Sequence, residues 1–128
     1  MQLQIIAAIA CGGALGAVGR HLVVAQVAQW AGSGFPFGVL AANVLGSFAM
    51  GVLVELSALV WSPSPELRAF LTVGVLGAFT TFSTFSMDTV LLYERGALLL
   101  CAVYVVASVV LSVGAFFLAL ALLRAALA

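Results

Sequence analysis

Four apolar runs, each long enough to cross a bilayer, divide this chain and leave it few ways to fold. They cover about residues 3–30, 36–61, 67–92 and 97–123, separated by Gly32-Ser33-Gly34, Ser62-Pro63-Ser64-Pro65-Glu66 and Tyr93-Glu94-Arg95-Gly96. An α-helix rises ~1.5 Å per residue, so about 20 residues span a ~30 Å hydrocarbon core. Only four arginines, no lysine and four carboxylates accompany these runs in 128 residues. A water-soluble domain of this size could not cover its surface with so few charges. The expectation is an all-α integral membrane protein of four transmembrane helices, a single domain over residues 1–128 with no soluble part. The first run lacks the basic leader of a signal peptide and is too long for one, so it is read as a retained span.

The third run carries the oddest segment, Gly74 to Asp88. Its centre is crowded with hydroxyls (Thr80, Thr81, Ser83, Thr84, Ser86) and with phenylalanines at spacing three (Phe79, Phe82, Phe85). Gly74, Gly77 and the Thr80-Thr81 pair all weaken a helix at the same depth. Irregular backbone at mid-membrane is tolerated only where protein buries it or a watery cavity meets it. The third span is therefore expected to be broken, with a site at the break. Before it, Ser64, Pro65 and Glu66 form a helix start: a capping hydroxyl, proline at the first helical position and an acid at the positive end of the dipole.

Polar residues elsewhere fall into rows at i, i+4, i+8. Asn43, Ser47 and Gly51 share one face of the second span, and Tyr104, Ser108 and Ser112 one face of the fourth. On the first span Gly12 and Gly16 lead to Arg20, beside a second small-residue row of Gly13 and Ala17. Small residues at this spacing let helices approach closely in lipid. Asn43 admits two readings, a hydrogen bond joining two helices or an amide donor lining a pore. Arg20 also admits two, snorkelling to an interface or standing in a watery vestibule. His21 reads as a passive neighbour, and Cys11 and Cys101 as small apolar residues. Glu55 and Asp88 read as span-end residues, with Glu55 near enough to the interface to stay solvated. Trp30 and Trp61 sit at span ends, where indole rings favour the headgroup level.

No nucleophile, base or metal-ligand cluster emerges from these residues, so the chain is not read as an enzyme. What remains is a set of neutral donors together with aromatic rings whose edges are electropositive. A cation site would want carboxylates or a carbonyl cage, whereas donors and ring edges suit a small anion that exchanges its hydration shell for protein contacts. The end holding both termini carries Arg68 and Arg124; the other carries Arg95 and, if it reaches the interface, Arg20. That balance gives the positive-inside rule almost no preference. The chain could insert both ways and pair as an antiparallel homodimer.

Three rivals are weighed. A four-span, dual-topology small exporter needs a carboxylate in the first span to couple protons, and the first span has none. A potassium-type filter at Thr72-Val73-Gly74-Val75 needs an extended loop, whereas here the string continues a helical run. A non-transporting scaffold would use the same rows only as helix contacts.

Three patches carry a family resemblance: Gly12-Gly13-Ala14-Leu15-Gly16-Ala17-Val18-Gly19-Arg20, Asn43-Val44-Leu45-Gly46-Ser47-Phe48, and Gly74 through Phe85. Through them the chain resembles the Fluc (CrcB) family of fluoride channels over essentially its full length. Ala78 stands where the family usually has glycine, and His21 where an aromatic is common. The resemblance implies a dual-topology homodimer with two antiparallel pores. It implies ring edges from Phe82 and Phe85 and an amide donor from Asn43 as fluoride contacts. Tyr104, Ser108 and Ser112 would line the path, with Ser83 and Thr84 beside it, and Arg20 would belong to an anion-concentrating vestibule. Carbonyls of Gly77 and Thr80 from both subunits would hold a structural sodium ion at the dimer interface. The implied role is fluoride resistance: passive efflux across the cytoplasmic (inner) membrane of fluoride that entered as HF.

Overall fold

The structure, a computed structural model, describes residues 2–127. It is all-helical among these residues. Four helices are long and apolar enough to cross a membrane: Gln2–Ala31, Phe37–Leu59, Pro65–Glu94 and Leu98–Leu127. The second ends before Trp61 because the amides of Val60 and Trp61 both turn onto the Leu56 carbonyl, at 3.0 and 2.9 Å. The fourth continues past Leu123 to Leu127, since alanine and leucine favour helix and Arg124 suits its negative end. At the start of the third, Ser64 Oγ accepts from the Leu67 amide at 3.2 Å.

Left-handed glycines close two of the connections, Gly32 at φ +80° and Gly96 at φ +81°. A side chain would be strained at either position. These two loops lie at the same end of the bundle and are tied together, with Arg95 Nη2 donating to the Gly34 carbonyl at 2.7 Å.

The largest contacts run between the first and third spans and between the second and fourth. Missing side chains make both possible. A Cβ on Gly12 would run into the Phe70 carbonyl, and one on Gly16 into that of Val75. The third span replies with Gly74, whose own Cβ would lie 2.9 Å from Gly12 Cα. Gly13 has nothing within 4 Å, so of the two small-residue rows on the first span only one is used inside the chain. Between the second and fourth spans, Gly51 is the contact point, with Ala119 Cβ and the Phe116 carbonyl each 2.8 Å from where its Cβ would be.

The third span is helical through Phe79, with wider π-type turns over Ala69–Leu76, and resumes as an α-helix over Phe82–Glu94. Between these halves Thr80 (φ −88°, ψ 158°) and Thr81 (φ −153°, ψ 126°) are extended. Of the helix-weakening residues in the sequence, the threonine pair makes the break. Gly77 keeps helical angles, and Gly74 serves close approach.

The glycine contacts yield a paired test. Gly16→Ala should lower stability by about 1–3 kcal/mol through overpacking against backbone, whereas Gly13→Ala should leave it unchanged. Thermal melting of the two variants in detergent checks this; equal melting would sink the packing account.

Candidate functional site

Breaking a helix inside a membrane leaves backbone groups that lipid cannot satisfy. The second span supplies the answer from Asn43. The Thr81 amide donates to Asn43 Oδ1 at 2.8 Å, and Asn43 Nδ2 donates back to the Thr81 carbonyl at 3.1 Å. This reciprocal pair fixes which way the carboxamide points. Thr81 then caps the second half-helix, its Oγ1 accepting from the Thr84 amide at 3.2 Å. Gly46 lets the second span come this close, because a Cβ there would strike the Thr80 methyl. Of the two readings of Asn43, the interhelical hydrogen bond is present. A carboxamide nitrogen has two N–H donors, and one remains.

Two carbonyls lose their helical donors through these bonds. The Thr81 amide would ordinarily serve the Gly77 carbonyl, and the Thr84 amide that of Thr80; both are turned onto side-chain oxygens instead. Exposed carbonyl oxygens at a helix break are the hard, neutral donors a monovalent cation takes.

Against the break lies an open groove of about 380 Å³. Asn43 and Ser47 of the second span line it, with Phe82 and Phe85 just past the break and Ser108 and Ser112 of the fourth. Among the sequence-predicted residues, Asn43, Phe82, Phe85, Ser108 and Ser112 are thus brought together. The two phenylalanine rings are 5.4 Å apart and tilted by 45°. Phe82 is 78% exposed in the single chain. The Ser108 hydroxyl is buried and has no hydrogen-bond partner within the described residues. A buried, unpaired hydroxyl carries a desolvation cost of ~1–3 kcal/mol, so its presence on the groove wall calls for an occupant.

Tyr104 stands beside the groove and does not line it. Its ring is fully buried, 5.2 Å from that of Phe85 and edge-on to Phe35 at 5.5 Å. Its hydroxyl donates to Asp88 Oδ2 at 3.1 Å, which gives Asp88 a partner inside the span. Ser83 is exposed, 3.4 Å from Thr81 Oγ1. Thr84 receives the Thr81 hydroxyl at 3.2 Å and Arg20 Nη1 at 3.4 Å. Arg20 therefore reaches sideways from the first span toward the break. Glu55 corrects its expected solvation: it is buried, with Arg124 Nε 3.1 Å from its Oε1. The fourth span supplies that cation because the Gly51 contact brings it close one turn away.

Besides Gly46 and the Thr80-Thr81 break itself, Ser47, Met50 and the apolar Val109, Val113 and Phe116 also line the groove without having been singled out for the path. Ser47 carried a legible signal, since it follows Asn43 by one helical turn on the same face. The apolar members carried none, being indistinguishable from lipid-facing residues.

Residues 7–120 match the family described as CrcB-like protein, Camphor Resistance (CrcB). A relative from Rhodospirillum centenum is 56% identical over 126 residues, covering 98% of this chain and all of that protein. Another from Agrobacterium fabrum is 55% identical over 119 residues, 93% of this chain and 95% of its own. A third, from Granulibacter bethesdensis, is 53% identical over 113 residues, 88% of this chain and 89% of its own. Each is named a fluoride-specific ion channel, FluC. With a family match over most of its length and relatives more than half identical nearly end to end, this chain belongs to the CrcB family.

Proposed function

We propose that the protein is a fluoride channel, letting fluoride leave the cytoplasm passively across the cytoplasmic membrane. The observation that carries this reading is the unpartnered Ser108 hydroxyl in a groove it shares with Asn43 and the Phe82–Phe85 ring pair. Fluoride is small and strongly hydrated, so the groove must offer replacement donors along its length. Asn43 offers its remaining N–H, the serines their hydroxyls, and the rings their electropositive edges. The fluoride-specific names of the relatives support the choice of anion. A scaffold reading would leave Ser108 without an explanation.

The functional unit is an antiparallel homodimer with two pores. Its support is the near-equal charge of the two ends and the outward exposure of Phe82, half of the ring pair, in the single chain. Tyr104 flanks the path behind the Phe85 ring, and Ser83 and Thr84 lie beside it. Arg20, turned toward the break, raises the local anion concentration. Carbonyls of Gly77 and Thr80 from both subunits hold a sodium ion at the interface. Their redirected helical donors support this assignment. Bound there, sodium supplies a fixed positive charge and pins the break.

Three expectations follow for purified protein in liposomes with the voltage clamped by valinomycin. Fluoride should leave rapidly and chloride should not, and Phe82→Ile and Phe85→Ile should each slow fluoride by about two- to tenfold, one ring-edge contact being worth ~0.5–1.5 kcal/mol. Equal loss of both anions, or normal flux in both variants, would refute the assignment. Asn43→Asp puts a carboxylate against the Thr81 carbonyl and on the anion path, so it should block more completely than Asn43→Ser; matching rates would reduce Asn43 to a structural clamp. Replacing sodium on both sides with a large organic cation should slow flux while the dimer persists, and undiminished flux after exhaustive exchange would remove the sodium site.

A further inference from the structure

We propose that Ser47 is a further anion-binding residue, a second-span hydroxyl that works with Ser108 and Ser112 from the other wall of the groove. The inference rests on the channel reading above.

A hydroxyl inside a membrane helix ordinarily bonds back to the carbonyl four residues earlier. This chain follows that habit on its third span. Thr72 bonds to the Arg68 carbonyl at 2.8 Å, Ser86 to that of Phe82 at 3.0 Å and Thr89 to that of Phe85 at 2.8 Å. Ser47 departs from it. Among the described residues its hydroxyl makes no hydrogen bond, although the Asn43 carbonyl stands at the customary spacing. Ser108 and Ser112 depart in the same way, and all three line one groove. Ser57, on the second span but outside the groove, also lacks a back-bond among the described residues, so what sets Ser47, Ser108 and Ser112 apart is that their free hydroxyls share one groove.

The backbone under Ser47 is also held. On one side Gly46 is pressed against Thr80 at the break, and on the other Gly51 is pressed against Ala119 and Phe116. A hydroxyl between two such contacts keeps its place when an ion arrives, which is the preorganisation that ion binding needs. One helical turn, ~6 Å of rise, separates Ser47 from Asn43, and the same step separates Ser108 from Ser112. An anion moving off the Asn43 amide and the ring pair thus meets donors from two helices at the next level. A single wall of hydroxyls would leave half of its shell unreplaced.

The experiment compares the full-length parent, Ser47→Ala and Ser47→Thr in liposomes, reading fluoride efflux against fluoride concentration, with melting temperature and dimer fraction measured on the same preparations. Ser47→Ala should slow efflux about tenfold, the loss of one hydrogen bond to a charged group, and raise the fluoride concentration needed for half-maximal rate. Ser47→Thr, which keeps the hydroxyl, should stay near the parent, with melting unchanged in both. Parent-like efflux in Ser47→Ala would overturn the inference while leaving the channel intact. So would equal slowing in both variants accompanied by lower melting, which would make Ser47 a packing residue. A parent that passes no fluoride would overturn the channel reading and this inference with it.

Discussion

Two hydrogen bonds between Asn43 and the backbone of Thr81 hold the structure at its weakest point. Hydrocarbon offers nothing to a free amide or carbonyl, and each one left bare costs several kcal/mol. A carboxamide is the side chain that presents one acceptor and donors together, so it can stand in for a missing stretch of helix ladder. Much else is arranged around that substitution. Gly46 must be small for the second span to reach the break, Thr81 must cap the half-helix that follows, and the phenylalanines project from its first turn. Asn43 holds the break with one N–H and keeps another on the wall of the groove.

The four spans and a site at the third were legible because hydropathy reports burial in lipid and because hydroxyls crowded into an apolar run need a reason. The location of the break was only half legible. Gly74, Gly77 and Thr80-Thr81 all weaken a helix, and propensity alone does not separate them. The separation is tertiary: Gly12 packs on Gly74 and keeps that stretch helical, while Asn43 captures the threonine pair. The rows at i, i+4, i+8 were equally ambiguous. Asn43 and Ser47 line the groove, but Gly51 in the same row packs against Ala119. Spacing tells which residues share a face, and the neighbouring helix decides what the face is for. Glu55 was misread for the same reason, its partner Arg124 lying 69 positions away in the chain.

Charge is kept off the lining of the groove. Arg124 and Glu55 close together at one end of the second and fourth spans, and Arg95 ties the loops at the other. Between them the groove is lined only by neutral groups. A fixed full charge in the path would either repel an anion or hold it too long, whereas neutral donors leave binding weak enough for release. Tyr104 fits the same logic: its hydroxyl is already committed to Asp88, so the carboxylate is held against a donor beside the groove rather than left bare within it.

The pairing of first with third and second with fourth has a consequence for how the chain is made. Sequence-adjacent hairpins would each be complete as soon as they left the ribosome. Here the hairpins interlock, so the glycine face of the first span waits for the third, and the second waits for the fourth. Domains generally assemble in the order of synthesis, yet no half of this bundle is a finished unit. The polar groups of the second span, Asn43 and Glu55 included, must therefore cross the insertion machinery before either has met its partner. The early nascent hairpin is the stage at which these polar groups still lack the partners that later spans bring.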